Sequence, residues 1–504
     1  MKLNCFGSFG QLIHLSLPCL CFFIIFLASC TIPEPDNHSS CRECHKIKLD
    51  HNHDFSCVKC HQGNNSANLK QIAHKDLIRY PASPQNAPRF CGNCHKKEVK
   101  NVAKSSHYTL KNEILVVWSA FFPSDTPPRI QELQGIENPK TLGDLVKDLL
   151  ARRCLRCHVY YEGDKYQGVM RGTGCSACHM PIGSKVKHLF QKAKMENCLS
   201  CHYANFVGWD YIGRFEKDYP EDFRAPLEKG KHISRPYGVE WLQMEPDVHY
   251  KAGMTCTHCH KKGLFHVEKG TLSLVGCRSC HKELVDILGH RSNSSSCEAD
   301  CQACHAVWSV WAQGRSLMRH DSPDPEEWAF LSVQGSSEIE RQLVRALEYN
   351  ISGFKPVMSD KIHGGEYRGL WFQGFQKRRW APVVLGLDKN YKMCVMRPLL
   401  DIELSYVDTI GDTVFDQIKA KPSRFYRKIN PVWFGVMSDR DNLAPYCLPY
   451  HPHTISRADA IRTILVSDYL KKCSEEIGYS ENTFSKMLFN TSSLYGFGRD
   501  AQKP

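Results

Sequence analysis

CLRCHVYYEGDKYQGVMRGTGCSACHMPIGSKVKHLFQKAKMENCLSCH, from Cys154 to His202, holds three copies of one pattern, Cys-x-x-Cys-His. Its first copy is Cys154, Cys157 and His158, its second Cys175, Cys178 and His179, and its third Cys198, Cys201 and His202. Working outward, three copies lie upstream: Cys41, Cys44 and His45, then Cys57, Cys60 and His61, then Cys91, Cys94 and His95. Three more lie downstream: Cys256, Cys259 and His260, then Cys277, Cys280 and His281, then Cys301, Cys304 and His305. The nine copies use eighteen of the 26 cysteines. A shuffled chain of this composition holds roughly 0.07 matches, so composition does not produce nine.

Two thiols three positions apart reach both vinyl groups of one porphyrin as thioethers, and the adjacent histidine swings beneath the ring to ligate its iron. The pattern therefore predicts nine covalently bound c-type haems, with the eighteen cysteines as attachment points and the nine histidines as proximal ligands. Structural zinc is the competing reading, in which CxxC pairs combine two by two into Cys₄ or Cys₂His₂ sites. Nine is odd, and every second cysteine is followed by histidine, so zinc fits badly. A disulfide framework leaves the nine histidines unexplained.

Fifteen histidines remain once the nine proximal ones and His14 are set aside, ample for nine distal ligands. Twelve of them fall between His38 and His320, interleaved with the motifs. His53 and His249 precede an attachment motif by a few residues, where a side chain can serve a neighbouring haem. His107 ends KKEVKNVAKSSH, whose spacing predicts a helix that carries it back over a ring. His74, His188, His266, His290 and His320 fall in or after the spacers, and His232 completes the candidate set. His258, inside CTHCH, is expected to point away from its own haem.

The first residues read as an export signal. Lys2 precedes LSLPCLCFFIIFLASC, which has the length and flanks of a secretory apolar region rather than a spanning helix. Leu27, Ala28, Ser29 and Cys30 resemble the lipobox of bacterial lipoproteins, which implies lipidation of Cys30 and a membrane anchor. An uncleaved anchor helix is the alternative. The missing Asp after Cys30 points to the outer membrane, with Thr31 in its place.

Charge excludes less than it suggests. The chain has a formal net charge of +12. Eighteen haem propionates would offset most of that, so the basic excess is not read as nucleic-acid binding. The expected partners are electron-donor and electron-acceptor redox proteins, other multihaem cytochromes or an outer-membrane porin among them, together with the membrane.

The expected organisation is a signal peptide over 1–29, a lipidated Cys30 and tether over 30–40, a nonahaem domain over 41–321 and a haem-free region over 322–504. The fold class expected for the nonahaem part is mainly α and loops packed around porphyrins. The haem-free part reads as α+β. SSEIERQLVRALEY and ADAIRTILVSDYLKKC have helical spacing, whereas LWFQGF, APVVLGL, MCVMRPLLDIELSYVD and DTVFDQI read as strands. Cys297, Cys394, Cys447 and Cys473 lie outside the motifs. An exported chain permits one or two disulfides among them, with pairing not readable from sequence.

PYGVEWLQMEPDVHYKAGMTCTHCH (Pro236 to His260), CLSCHYANFVGWDYIGRFEKDY, VQGSSEIE and GLWFQGFQKRRW resemble the multihaem c-type cytochrome lipoproteins of selenite/tellurite reduction operons in metal-respiring bacteria. That resemblance implies a periplasm-facing or outer-membrane electron carrier. HPHTISR (His451 to Arg457) is similar to the segment preceding the last haem motif of octahaem hydroxylamine-oxidoreductase and tetrathionate-reductase cytochromes. Here no Cys-x-x-Cys-His follows, which leaves His453 as a remnant or a ligand to a distant iron. An electron carrier is therefore expected ahead of a reductase with one open, catalytic haem; a storage protein without a fixed partner is the third reading.

Overall fold

The computed structural model describes residues 40–475, apart from 184–187, 205–207, 217–226, 229–230, 233–234, 262–274, 283–297, 314, 329–334, 350–355, 374–376, 382, 389, 391, 399–401, 422–426 and 429–445. The signal segment, Cys30, the tether up to residue 39, His266, His290 and Cys297 lie outside the described residues. So do the side chains of His232, Cys447 and Cys473.

The chain divides into two compact units. The described part of the smaller unit is residues 40–46 and 54–77. It carries the first two motifs on the short helices Ser40–Cys44 and Cys57–His61, with a third turn at Lys70–Ala73. Arg42 links the motif-bearing segments by donating to Asp54 at 2.5 Å and to the Phe55 carbonyl at 3.0 Å.

The larger unit, residues 47–53 and 78–504, holds the other seven motifs. Its longer helices are α1 (Lys111–Phe121), α2 (Leu142–Arg152), α3 (Ser337–Tyr349) and α4 (Ala460–Glu475). Its principal strands are β1 (Ser309–Gln313), β2 (Arg315–His320), β3 (Leu370–Gln373), β4 (Lys377–Ala381), β5 (Val384–Leu387), β6 (Met393–Pro398), β7 (Ile402–Val407), β8 (Thr413–Lys419), β9 (Arg427–Lys428) and β10 (Tyr446–Pro449). They build one sheet in the order β8-β7-β2-β3 and another in the order β5-β6-β10-β9, with β1 and β4 as a separate pair. β7 runs parallel to β2, with Leu404 opposite Leu317; the other pairings in these sheets are antiparallel.

α2 starts at a reciprocal cap. The Thr141 hydroxyl accepts the Asp144 amide at 3.1 Å, and the Asp144 carboxylate accepts the Thr141 amide at 3.0 Å, satisfying two of the orphan donors of a helix start. The helix then buries Leu145, Val146, Leu149 and Leu150 fully, each contributing about 1.5–3 kcal/mol by leaving water. Ile114, Val117, Trp118 and Phe121 of α1, at the spacing of one helical face, join the same core. So do Leu317 of β2, Ile339 and Leu343 of α3, Trp371 and Phe372 of β3, and Leu404 and Tyr406 of β7.

That core includes residues from both sides of the boundary expected between residues 321 and 322. Helices from the spacer after the third motif pack on strands from both sides of that position. β1 and β2 are strands within the stretch expected to be helices and loops. The ninth motif is similarly built in: Ala303 and Ala306 pack with Leu465, Val466 and Tyr469 of α4 and with Leu385, Met393 and Val395 of the second sheet. The helices and strands read from periodicity in the C-terminal part do appear, as α3, α4, β3, β5, β6, β7 and β8.

A buried charge network locks the first sheet to α2. Asp148 accepts from Arg152 at 3.1 Å, Trp371 Nε1 at 2.7 Å and the Ile136 amide at 2.8 Å, and forms an ion pair with Arg319 at 3.0 Å. Arg319 also donates to Asp321 at 2.8 Å, and Asp321 accepts the Tyr406 hydroxyl at 2.8 Å. Arg152, Arg319 and Asp148 are fully buried, and such charges are tolerable only because each is paired and hydrogen-bonded.

Candidate haem centres

Each motif needs a backbone that puts both thiols on one side and frees the histidine ring. An i to i−4 turn does this. The histidine amide donates to the carbonyl of the first cysteine in five motifs: His45 to Cys41 at 2.8 Å, His95 to Cys91 at 2.8 Å, and His202 to Cys198, His260 to Cys256 and His281 to Cys277 at 2.9 Å. Cys57–His61, Cys175–His179 and Cys301–His305 are helical from the first cysteine through the histidine. The fourth motif departs from this. Cys154–Cys157 is a 3₁₀ turn, and the His158 amide donates to Leu155 at 3.4 Å.

Histidines from spacers come to face motif histidines. The ring centroids of His74 and His45 are 5.8 Å apart, those of His53 and His95 6.2 Å, and those of His107 and His202 6.3 Å. His249 and His281 are 6.0 Å apart, and His453 and His260 6.2 Å. Two imidazoles bound to opposite faces of one iron, each with an Fe–N bond of about 2 Å, hold their centroids roughly 6 Å apart. The five pairs therefore fit the bis-histidine haem that the motifs imply. In each, a short helix, turn or loop remote from the motif supplies the second ring: His53 ends the turn His51–His53, His107 lies in Ser106–Thr109 and His249 in Val248–Lys251.

Burial pushes the His107 imidazole down to about 4, with His202 adding to the effect, so that its ring stays neutral with a lone pair free for a metal. Burial likewise lowers His260. Glu113 of α1 is exposed, yet desolvation pushes its carboxyl up to about 7. Two proximal histidines are oriented by main-chain carbonyls: His179 Nδ1 donates to Gln191 at 2.9 Å and His305 Nδ1 to Ser456 at 3.0 Å. Fixing Nδ1–H in this way leaves the Nε2 lone pair for the metal.

First cysteines of different motifs also meet. Cys91 and Cys175 are in thiol–thiol hydrogen-bonding reach, as are Cys198 and Cys256, and Cys277 and Cys301. The attachment edges of the third and fifth motifs, the sixth and seventh, and the eighth and ninth thus lie side by side.

The remaining candidates are placed differently. His188 is half-buried. His320, the last residue of β2, accepts the Ser322 amide on Nδ1 at 3.2 Å. His258 Nδ1 accepts the Thr255 amide at 2.9 Å, so the ring folds back on the start of its own helix. His232 ends a two-residue strand, Lys231–His232. His158 is buried, its Nδ1 accepts the Tyr160 amide at 2.9 Å, and burial followed by Arg171 pushes it down to about 3. His453 was not among the nine ranked distal candidates, and its place opposite His260 depends on folding of the far C-terminal segment. Its amide donates to Asp210 at 2.9 Å, and the Tyr450 hydroxyl donates to the same carboxylate at 3.1 Å.

Among the described residues no group of three or more His, Cys, Asp or Glu side chains is arranged to hold a metal ion. A family model described as a doubled CXXCH motif matches residues 167–205, which span the fifth and sixth motifs. It indicates a multihaem c-type cytochrome. Comparison with curated proteins and with solved structures returned no match. The matched stretch includes one of the paired motif histidines, His202, and the carbonyl-anchored His179.

Proposed function

We propose that the chain is an exported, membrane-anchored carrier of nine c-type haems that transfers electrons in anaerobic respiration. The donor would be a quinol-linked or periplasmic protein. The acceptor would be a partner such as another multihaem cytochrome or an outer-membrane porin complex, or a terminal oxidant such as selenite, tellurite or a metal oxide. Haem bound at these motifs supplies a one-electron iron couple, and bis-histidine ligation favours low potentials.

One observation carries the reading: five motif histidines each face a second histidine at 5.8, 6.0, 6.2, 6.2 and 6.3 Å. These pairs would fill both axial positions, exclude exogenous ligands and leave outer-sphere electron transfer as the available chemistry. The neighbouring first cysteines of three motif pairs support short steps between centres. The acceptor, the lipid anchor at Cys30 and an outer-membrane location rest on the sequence resemblance. Carbon monoxide added to the reduced protein tests the carrier reading. A spectrum that stays low-spin throughout supports it; a response at one centre favours a reductase instead, and binding at five or more centres contradicts both.

The fourth motif favours a second reading, an oxyanion reductase with one open iron. Its 3₁₀ backbone and the buried His158, with Arg171 and Lys361 as charged neighbours, set it apart from the other eight. A nitrite- or selenite-induced spectral change equivalent to one centre, lost in Cys154→Ala, would establish that reading.

A further inference from the structure

Two distal histidines differ from the carbonyl-anchored ones in what holds their Nδ1. His53 Nδ1 donates to Asp50 at 2.8 Å, and His249 Nδ1 donates to Asp247 at 2.8 Å. Each carboxylate is saturated with donors. Asp50 also accepts the amides of Asn52 at 3.2 Å and Phe190 at 3.1 Å. Asp247 also accepts the amides of His249 at 2.8 Å and Ile455 at 2.7 Å. N–H donors therefore reach both oxygens of each carboxylate. Asp247 is 2% exposed, where solvent screens its charge least.

We propose that Asp50 and Asp247 are positioning residues that set the potentials of the two centres built on His53/His95 and His249/His281, making them lower than the centres whose histidines lean on main-chain carbonyls. This rests on the bis-histidine reading. The carboxylate fixes the tautomer that presents Nε2 to the metal, and it draws the Nδ1 proton so that the ring donates more electron density. Greater donation and a nearby negative charge favour ferric over ferrous iron and lower the reduction potential. Asp210 comes within only 3.6 Å of His453 Nδ1, beyond a normal hydrogen bond, and is expected to act more weakly on the His260 centre. The same contrast is built into the two anchoring spans: the residue that orients each ligand also ties it to a distant strip of main chain, at Phe190 in one case and Ile455 in the other.

The test uses the full haem-loaded protein and the variants Asp50→Asn and Asp247→Asn, which remove the charge while keeping one acceptor oxygen for the histidine ring and its neighbouring amide. Potentiometric titration followed by electron paramagnetic resonance should show one low-spin centre per variant moving to higher potential with altered g-values. Haem content should be unchanged, and Asp50→Glu or Asp247→Glu should restore the lower potential. Unmoved potentials in both Asn variants, alongside a new high-spin centre in His53→Ala and in His249→Ala, would overturn the proposal while leaving the ligation reading intact. Unchanged low-spin spectra in both Ala variants would overturn the ligation reading and the proposal with it.

Discussion

His453 stands 6.2 Å from His260, ring centroid to ring centroid, although one belongs to the C-terminal segment and the other to the seventh motif. The approach is held by Asp210, which accepts the His453 amide at 2.9 Å, and by Ile455, whose amide donates to Asp247 at 2.7 Å. A segment without a Cys-x-x-Cys-His motif thus brings a histidine ring to face a motif histidine. His453→Ala is expected to convert one low-spin centre to a high-spin, carbon-monoxide-binding one while leaving haem content unchanged. Magnetic circular dichroism of the oxidised protein checks this.

The fifth motif depends on a glycine. Gly174 has φ +57°, and a Cβ there would lie 1.8 Å from the Ala82 carbonyl oxygen. Its successor, Cys175, donates its amide to that same carbonyl at 3.1 Å. Gly174→Ala should therefore cost at least about 1–3 kcal/mol in backbone strain. It should also lower incorporation at Cys175 and Cys178, read as a loss of up to one haem per chain by pyridine haemochrome assay against protein concentration.

Asp148 is the hub of the buried network that joins α2 to the first sheet. Replacing it with Asn leaves the Arg152 and Arg319 guanidinium groups, both fully buried, short of a countercharge. A loss of about 3–5 kcal/mol is expected for breaking a buried pair in this way. A lowered urea midpoint with unchanged haem spectra would show that the network serves the fold rather than the centres. A midpoint equal to that of the parent protein would contradict the assignment.

What was legible in the sequence follows from how local each feature is. The nine motifs are fixed by spacing over five residues, and α3, α4 and the C-terminal strands by hydrophobic period, so they can be read without knowing the fold. The long spacer after His95 carries the amphipathic helices α1 and α2, whose buried faces find partners on strands that come much later in the chain. That packing between residues distant in the chain is not readable from local periodicity. Ligand pairing is non-local in the same sense: His107 faces His202 across intervening motifs rather than the adjacent His95, and His53 passes over its own following motif to face His95. The carboxylates were closer to view. Asp50 lies three residues before His53 and Asp247 two before His249, a spacing that short-range hydrogen bonding to Nδ1 can use.

The number of covalent haems carries everything else, because paired histidines have no role as axial ligands without iron between them. Intact-mass measurement of the mature protein, expressed in a host competent for cytochrome maturation, tests it most directly. Nine haem adducts on one polypeptide are predicted; fewer than eight, or zinc in place of iron, would contradict the account.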